Sequence, residues 1–181
     1  GARHDNCIMC DTKGVIYRGR EEGMNQWKSA HAVATEARTL ADAMVDCDVF
    51  LGVSAKGAVT QEMVKSMAPN PVIFAMANPV PEVQPEEVRD DVAIMATGRS
   101  DYPNQINNVL VFPGVFRGLL DAHADEVSDE VLLAAAKAVS DTVPREELNA
   151  AYIIPSVFHP NLSASVAEAV EAAAKGEPAE S

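Results

Sequence analysis

Apolar and polar positions along this chain follow two rhythms. Short unbroken apolar runs bounded by Gly, Pro, Asp or Asn read as strands buried on both faces. Four stand out: Cys7-Ile8-Met9-Cys10 ending in Asp11, then residues 48–52 (DVFLG), 71–79 (PVIFAMANP) and 92–98 (VAIMATG). The third closes at Asn78-Pro79, since a residue before proline is pushed to an extended conformation. Elsewhere Ala, Leu and Met recur at helical spacing, over residues 25–35, 39–45, 60–67, 114–123, 129–143 and 161–175, with a single turn at 85–88 (PEEV). Thr60, Ser128 and Asn161 stand where helix starts are expected.

Strands alternating with helices predict a doubly wound α/β domain, a Rossmann-like parallel sheet covered on both faces, finished by C-terminal helices. Ligands of such sheets sit outside the carboxyl ends of the strands. The rule points to Asp11, Gly52-Val53-Ser54, Asn78 and Thr97-Gly98-Arg99, and predicts that Asp11, Gly52, Asn78 and Gly98 share one sheet edge. Gly52 reads as a place where a ligand approaches closely. A dinucleotide fold ordinarily opens strand, Gly-x-Gly-x-x-Gly, helix, with an acidic residue about twenty positions on. No such glycine string occurs here. The chain therefore reads as a domain entered after its first strand and glycine-loop helix. Asp11 stands where the ribose-binding carboxylate would be, or it is simply a turn that ends a strand.

Composition narrows the function. A formal net charge of −13 over 181 residues repels phosphate backbones and anionic lipid, so nucleic-acid and membrane-surface partners are not expected. The longest apolar stretch is broken by Arg117, no signal-peptide core opens the chain, and a cytoplasmic location is expected. Cys7 and Cys10 have C-x-x-C spacing, but in a strand the two thiols point to opposite faces and no second pair completes a zinc site. Buried thiols are the simpler expectation. Residues 100–120 (SDYPNQINNVLVFPGVFRGLL) place three asparagines and a glutamine before an apolar run. Such a cluster is either an exposed turn or a site that grips something polar, because unpaired buried amides are costly.

The segments 10–20 (CDTKGVIYRGR), 24–32 (MNQWKSAHA), 48–64 (DVFLGVSAKGAVTQEMV), 74–82 (FAMANPVPE), 96–121 (ATGRSDYPNQINNVLVFPGVFRGLLD) and 152–160 (YIIPSVFHP) resemble, in order, the carboxy-terminal half of bacterial malic enzymes. The resemblance covers residues 1–175, implying a partial dinucleotide-binding domain followed by a disordered tail at 176–181. Malic enzymes oxidatively decarboxylate L-malate to pyruvate and carbon dioxide, reducing NAD or NADP with Mg²⁺ or Mn²⁺. By resemblance Asn78 and Asn108 contact malate beside the nicotinamide, with Asn107 close by. Asp11 is the ribose contact, Arg20 lies towards the adenosine side, and Gly52, Val53, Ser54 and Asn78 border the dinucleotide. Neutral amides suit a dicarboxylate substrate, since they donate to carboxylate oxygens without adding a titrating group.

Asp11 favours NAD, because a carboxylate repels a 2′-phosphate, whereas Lys13, Arg18 and Arg20 could pair with that phosphate. The family's general acid tyrosine, general base lysine, carboxylate metal ligands and glycine loop belong to its amino-terminal part, and their motifs are not in this sequence. Neither Tyr17, Tyr102 and Tyr152 nor Lys13 and Lys56 has a motif that would fill those roles. No catalytic or metal-ligating residue is therefore assigned. His31, His123 and His159 lack ligand spacing, and Trp27 reads as core or interface. The resemblance implies half of an enzyme, inactive alone and a homo-oligomer when complete. The alternative is a non-catalytic dinucleotide-binding or assembly module that works with a separate subunit. An unrelated amino-acid dehydrogenase fits less well, given the Asn-Asn-x-x-x-Phe-Pro-Gly string.

Overall fold

A computed structural model describes residues 2–176. The expected disordered tail lies outside the described residues from Glu177 onward. Among the described residues, five strands and seven α-helices follow one another: β1 (Cys10–Asp11), β2 (Gly14–Val15), α1 (Gln26–Ala30), α2 (Leu40–Met44), β3 (Val49–Gly52), α3 (Gln61–Lys65), β4 (Val72–Ala75), α4 (Pro85–Val88), β5 (Ile94–Thr97), α5 (Phe112–Asp121), α6 (Asp129–Asp141) and α7 (Leu162–Ala174).

Strands β3, β4 and β5 form one parallel sheet in that order, as expected of α/β alternation. Their register aligns Val49 with Val72 and Ile94, and Gly52 with Ala75 and Thr97. All three carboxyl ends therefore stop at the same level. Beneath one face, Phe50, Ile73 and Ala75 pack on Met44, Val64 and Val88 from the flanking helices and on Met67 just after α3. The short helices α2 and α3 hold because Thr39 and Thr60 cap them, their hydroxyls accepting from Asp42 N and Met63 N.

The first predicted strand departs from expectation. Cys10–Asp11 does not join the parallel sheet; it pairs antiparallel with Gly14–Val15. The cause is local, since Asp11 Oδ1 accepts from Lys13 N at 2.8 Å and Gly14 takes φ 103°, which turns the chain back on itself. Cys7 is exposed and Cys10 only half-buried, so that pair is not core, whereas the half-buried Cys47 packs against the sheet's core cluster. Central burial was also expected of residues 48–52. Instead β3 is an edge strand among the described residues, with Phe50 and Gly52 buried while Val49 and Leu51 stand 49% and 64% exposed.

A second core lies among α5, α6 and α7, where Leu110, Val131, Ala135, Leu162, Val166 and Val170 are buried together. Helices α5 and α7 approach closely because Gly114 and Gly118 lie one turn apart. A Cβ at Gly118 would lie 2.4 Å from Ala167 O, and one at Gly114 would lie 2.6 Å from Val166 Cβ. No described helix is long and apolar enough to cross a membrane.

Gly118→Ala should therefore destabilise the chain by about 1–3 kcal/mol, although alanine is intrinsically the better helix former by up to about 1 kcal/mol. Leu120→Ala, at a position 72% exposed, should stay within about 0.5 kcal/mol. Denaturant midpoints of the two variants would decide it, and a stabilised Gly118→Ala would refute the close approach.

Candidate functional site

The carboxyl ends of β3 and β4 are tied together by one carboxyl group. Glu82 is fully buried. Its Oε1 accepts from Ser54 N at 2.7 Å and Ser54 Oγ at 3.1 Å, and its Oε2 accepts from Ala77 N at 3.0 Å. Gly52 makes room for it, because a Cβ there would lie 2.5 Å from Glu82 Cδ. The glycine read as a ligand approach is thus needed by a side chain of the protein itself. Sequence reasoning missed Glu82, since a glutamate in a proline-rich turn looks solvated. The turn it occupies contains a cis Asn78-Pro79 bond. Val53 and Ser54 are exposed just beyond β3, and Asn78 is exposed beyond β4.

The asparagine-rich loop folds back onto the end of β5. Ile106 N donates to Thr97 O at 2.8 Å, and Gln105 Nε2 donates to Gly98 O at 3.4 Å. Its amides divide into separate jobs. Asn104, buried with φ 55°, donates to Met95 O and Ala150 O and accepts from Ile153 N, latching the loop to the turn before α7. Asn107 caps the 3₁₀ turn Asn108–Leu110 by accepting from Val109 N at 3.1 Å. The Asn78 and Asn108 side chains are exposed, and neither makes a hydrogen bond among the described residues. Gly52, Ala75 and Thr97 are direct neighbours across the sheet. Asn78 follows Ala75 by three residues, and Asn108 follows the Thr97-bonded Ile106 by two. Both free amides are therefore carried at the same sheet edge.

Asp11 lies in the β1–β2 hairpin, outside that edge. Its Oδ1 accepts from Lys13 N and Arg20 Nη2, both at 2.8 Å, and its Oδ2 accepts from Arg20 Nη2 at 2.9 Å and Lys28 Nζ at 2.6 Å. A carboxylate offers about four acceptor sites, so this one is full. Burial works against its charged form, but the bonds from Lys28 and Arg20 outweigh that and hold the carboxyl well below the usual range. The buried Arg20 also donates to Gly14 O, Val15 O and Glu22 O, so all of its guanidinium nitrogens are engaged within the protein.

Several other chemistry-bearing residues have local partners, whereas His159 Nδ1 is buried with no hydrogen-bond partner among the described residues. Tyr102 donates to Glu86 and lies under the Arg99 guanidinium, Lys13 pairs with Glu22, and Arg38 lies over Tyr17. Trp27 is 73% exposed, so it is not core. A cleft of about 330 Å³ beside the loop is lined by Tyr102, Gln105, Tyr152, Pro155 and Phe158 among others, and neither Asn78 nor Asn108 contributes to its walls. No described group of three or more His, Cys, Asp or Glu side chains is placed to hold a metal ion. The donors present do not fit Mg²⁺ or Mn²⁺.

A family model described as malic enzyme, NAD binding domain, matches residues 2–175. An NADP-dependent malic enzyme of Rhizobium meliloti is 54% identical over 96% of this chain and 25% of its own length. A bifunctional malic/malolactic enzyme of Bacillus subtilis is 50% identical over 92% of this chain and 42% of its own. The crystal structure of an NAD-dependent malic enzyme from Thermotoga maritima superposes with a TM-score of 0.83 at 35% identity, covering 92% of this chain and 45% of that one. The chain thus spans a quarter to under half the length of these relatives.

Asp11→Ala should cost about 3–5 kcal/mol at neutral pH, because it leaves the Arg20 guanidinium buried without its carboxylate. A carboxyl held below its unfolded value stabilises the fold above about pH 4 and loses that contribution as pH falls. The gap between wild type and Asp11→Ala in denaturant midpoint should therefore narrow below about pH 4. A gap that stays constant to about pH 2 would contradict the ion cluster.

Proposed function

The chain belongs to the malic enzyme NAD-binding domain family, and from that membership we propose that it is the cofactor- and malate-binding half of a malic enzyme. The complete enzyme would convert L-malate and oxidised NAD or NADP to pyruvate, carbon dioxide and the reduced nucleotide. What supports this most is the pair of unpartnered amides, Asn78 and Asn108, at one sheet edge. A small dicarboxylate with a hydroxyl needs neutral donors that orient it, and hydride transfer needs its C–H held towards the nicotinamide. Asn78 and Asn108 take the malate oxygens in this reading. Asn107 helps through its NH₂ group, since its carbonyl oxygen is occupied by the cap.

The dinucleotide would run along Gly52, Val53 and Ser54, with Asn78 beside the nicotinamide. Asp11 would face the adenosine ribose, held in place by Arg20 and Lys28, and a ribose hydroxyl would have to displace one of the bonds that now fill the carboxylate. In this reading residues 1–175 would make up the dinucleotide-binding part of the enzyme. In a doubly wound sheet the ligand crevice opens beside the strand at the switch point. The unpaired edge of β3 and the exposed Val49, Leu51 and Val53 are where the remainder of a cytoplasmic, homo-oligomeric enzyme would pack. The metal and the proton-transfer groups would belong to that remainder. The alternative, a non-catalytic module serving a separate subunit, rests on the same open edge.

The purified chain should show no malate- and Mg²⁺-dependent reduction of NAD or NADP above a blank, because the groups of such a site act as a unit. Turnover by the chain alone would overturn the half-enzyme reading. In the complete enzyme Asn108→Ala should lower kcat/KM for malate about tenfold or more, from about 1.5–3 kcal/mol for a lost bond to a charged group, with nucleotide binding little changed. Asn78→Ala should do the same and also disturb the nucleotide. Steady-state kinetics with malate and nucleotide varied separately would decide it, and unchanged malate kinetics would return the stretch to being a surface turn.

A further inference from the structure

We propose that Glu82 is a positioning residue whose buried carboxyl group sets the nucleotide-bordering end of β3 and the malate-holding end of β4 at one fixed spacing. The inference rests on the malic-enzyme reading above and adds to it a residue that touches neither ligand.

Four observations carry it. Glu82 is completely buried, a position carboxyl groups rarely take without strong partners. Its partners are two backbone N–H groups and a hydroxyl, with no Lys or Arg bonded to it among the described residues. Those partners belong to two strand ends, Ser54 beyond β3 and Ala77 immediately before Asn78. Finally, the backbone of β3 is cut away for this carboxyl at Gly52, where a Cβ would also meet Phe50 at 2.7 Å. An ordinary surface glutamate needs none of this.

Both carboxyl oxygens are used, one for each strand end. A side chain that accepts on one side only cannot replace it. Glutamine has one carbonyl oxygen and one NH₂, so it must turn a donor towards either Ser54 N or Ala77 N. One strand end is then released. The main-chain bonds Gly57 N to Pro81 O and Val59 N to Glu82 O still hold the turn to the segment after β3, so the fold has other support. What is lost is the aim of Asn78 relative to Ser54, and small misplacements of orienting groups cost up to about a hundredfold in rate.

The test is a double-mutant cycle in the complete enzyme, with Glu82→Gln, Asn78→Ala and the pair, read as KM and kcat for malate and KM for the nucleotide. Glu82→Gln should lower kcat/KM for malate roughly tenfold to a hundredfold and raise the nucleotide KM. In the Asn78→Ala background the malate effect of Glu82→Gln should nearly vanish, because the group it aims is gone, while the nucleotide effect should persist. A merely structural Glu82 would lower the melting temperature and active fraction and leave both KM values unchanged. Additive malate effects, or unchanged KM values in folded Glu82→Gln, would overturn the inference. If instead Asn78→Ala itself left malate kinetics unchanged, the malate-site reading would be the one to fail. Should Glu82→Gln not fold, Ser54→Ala removes only the hydroxyl contact, and the same coupling to Asn78 is then expected at about two- to fivefold.

Discussion

In-register parallel pairing of β3, β4 and β5 is the constraint on which the rest of this molecule depends. Because Gly52, Ala75 and Thr97 are paired across the sheet, the three strands end together. Each chain segment must then turn away at that level with its backbone N–H groups unpaired, and buried unpaired donors are expensive. One side chain answers this for β3 and β4 together, and another for β5. Glu82 takes the N–H groups of Ser54 and Ala77, and Thr97 Oγ1 accepts from Arg99 N at 3.1 Å. A row of polar groups at one edge is the consequence of ending strands together, and a ligand site is what such an edge offers.

The polar side chains of the loops and turns described above fall into two kinds. Asp11, Arg20, Asn104 and Glu82 are committed, each to partners within the protein. Asn78 and Asn108 are uncommitted and exposed. The distinction separates residues that shape a site from residues that can meet a substrate. It also explains why residue type alone is a poor guide within the run from Asn104 to Asn108. Four amides in five positions serve as a latch, a loop tie, a helix cap and a free donor.

Packing divides the molecule into a sheet with its short helices and a three-helix unit of α5, α6 and α7, and each has its own buried cluster. The asparagine loop joins the two. It is bonded to β5 through Ile106 and to the turn before α7 through Asn104, so the amide at Asn108 is placed by both units.

Much of this was legible in the residues alone. Apolar runs located β3, β4 and β5, helical spacing located α5, α6 and α7 to within a few positions, with Ser128 capping α6, and the motif strings identified the family. These features are local: a run of Val, Ile and Phe, a Ser or Thr before a helix, and a Pro after Asn act through neighbouring backbone. Three things were decided only by the tertiary structure. Whether Cys10–Asp11 joined the parallel sheet depended on whether a partner strand lay beside it, and the Asp-Thr-Lys-Gly turn supplied an antiparallel partner first. Whether an asparagine was free depended on acceptors far along the chain, as with Asn104 and Ala150, which are 46 residues apart. Glu82 is the extreme case, since its partner Ser54 lies 28 residues away and its space is made by a glycine on another strand. Burial of a charged side chain is set by what surrounds it in three dimensions, and periodicity along the chain carries no record of that.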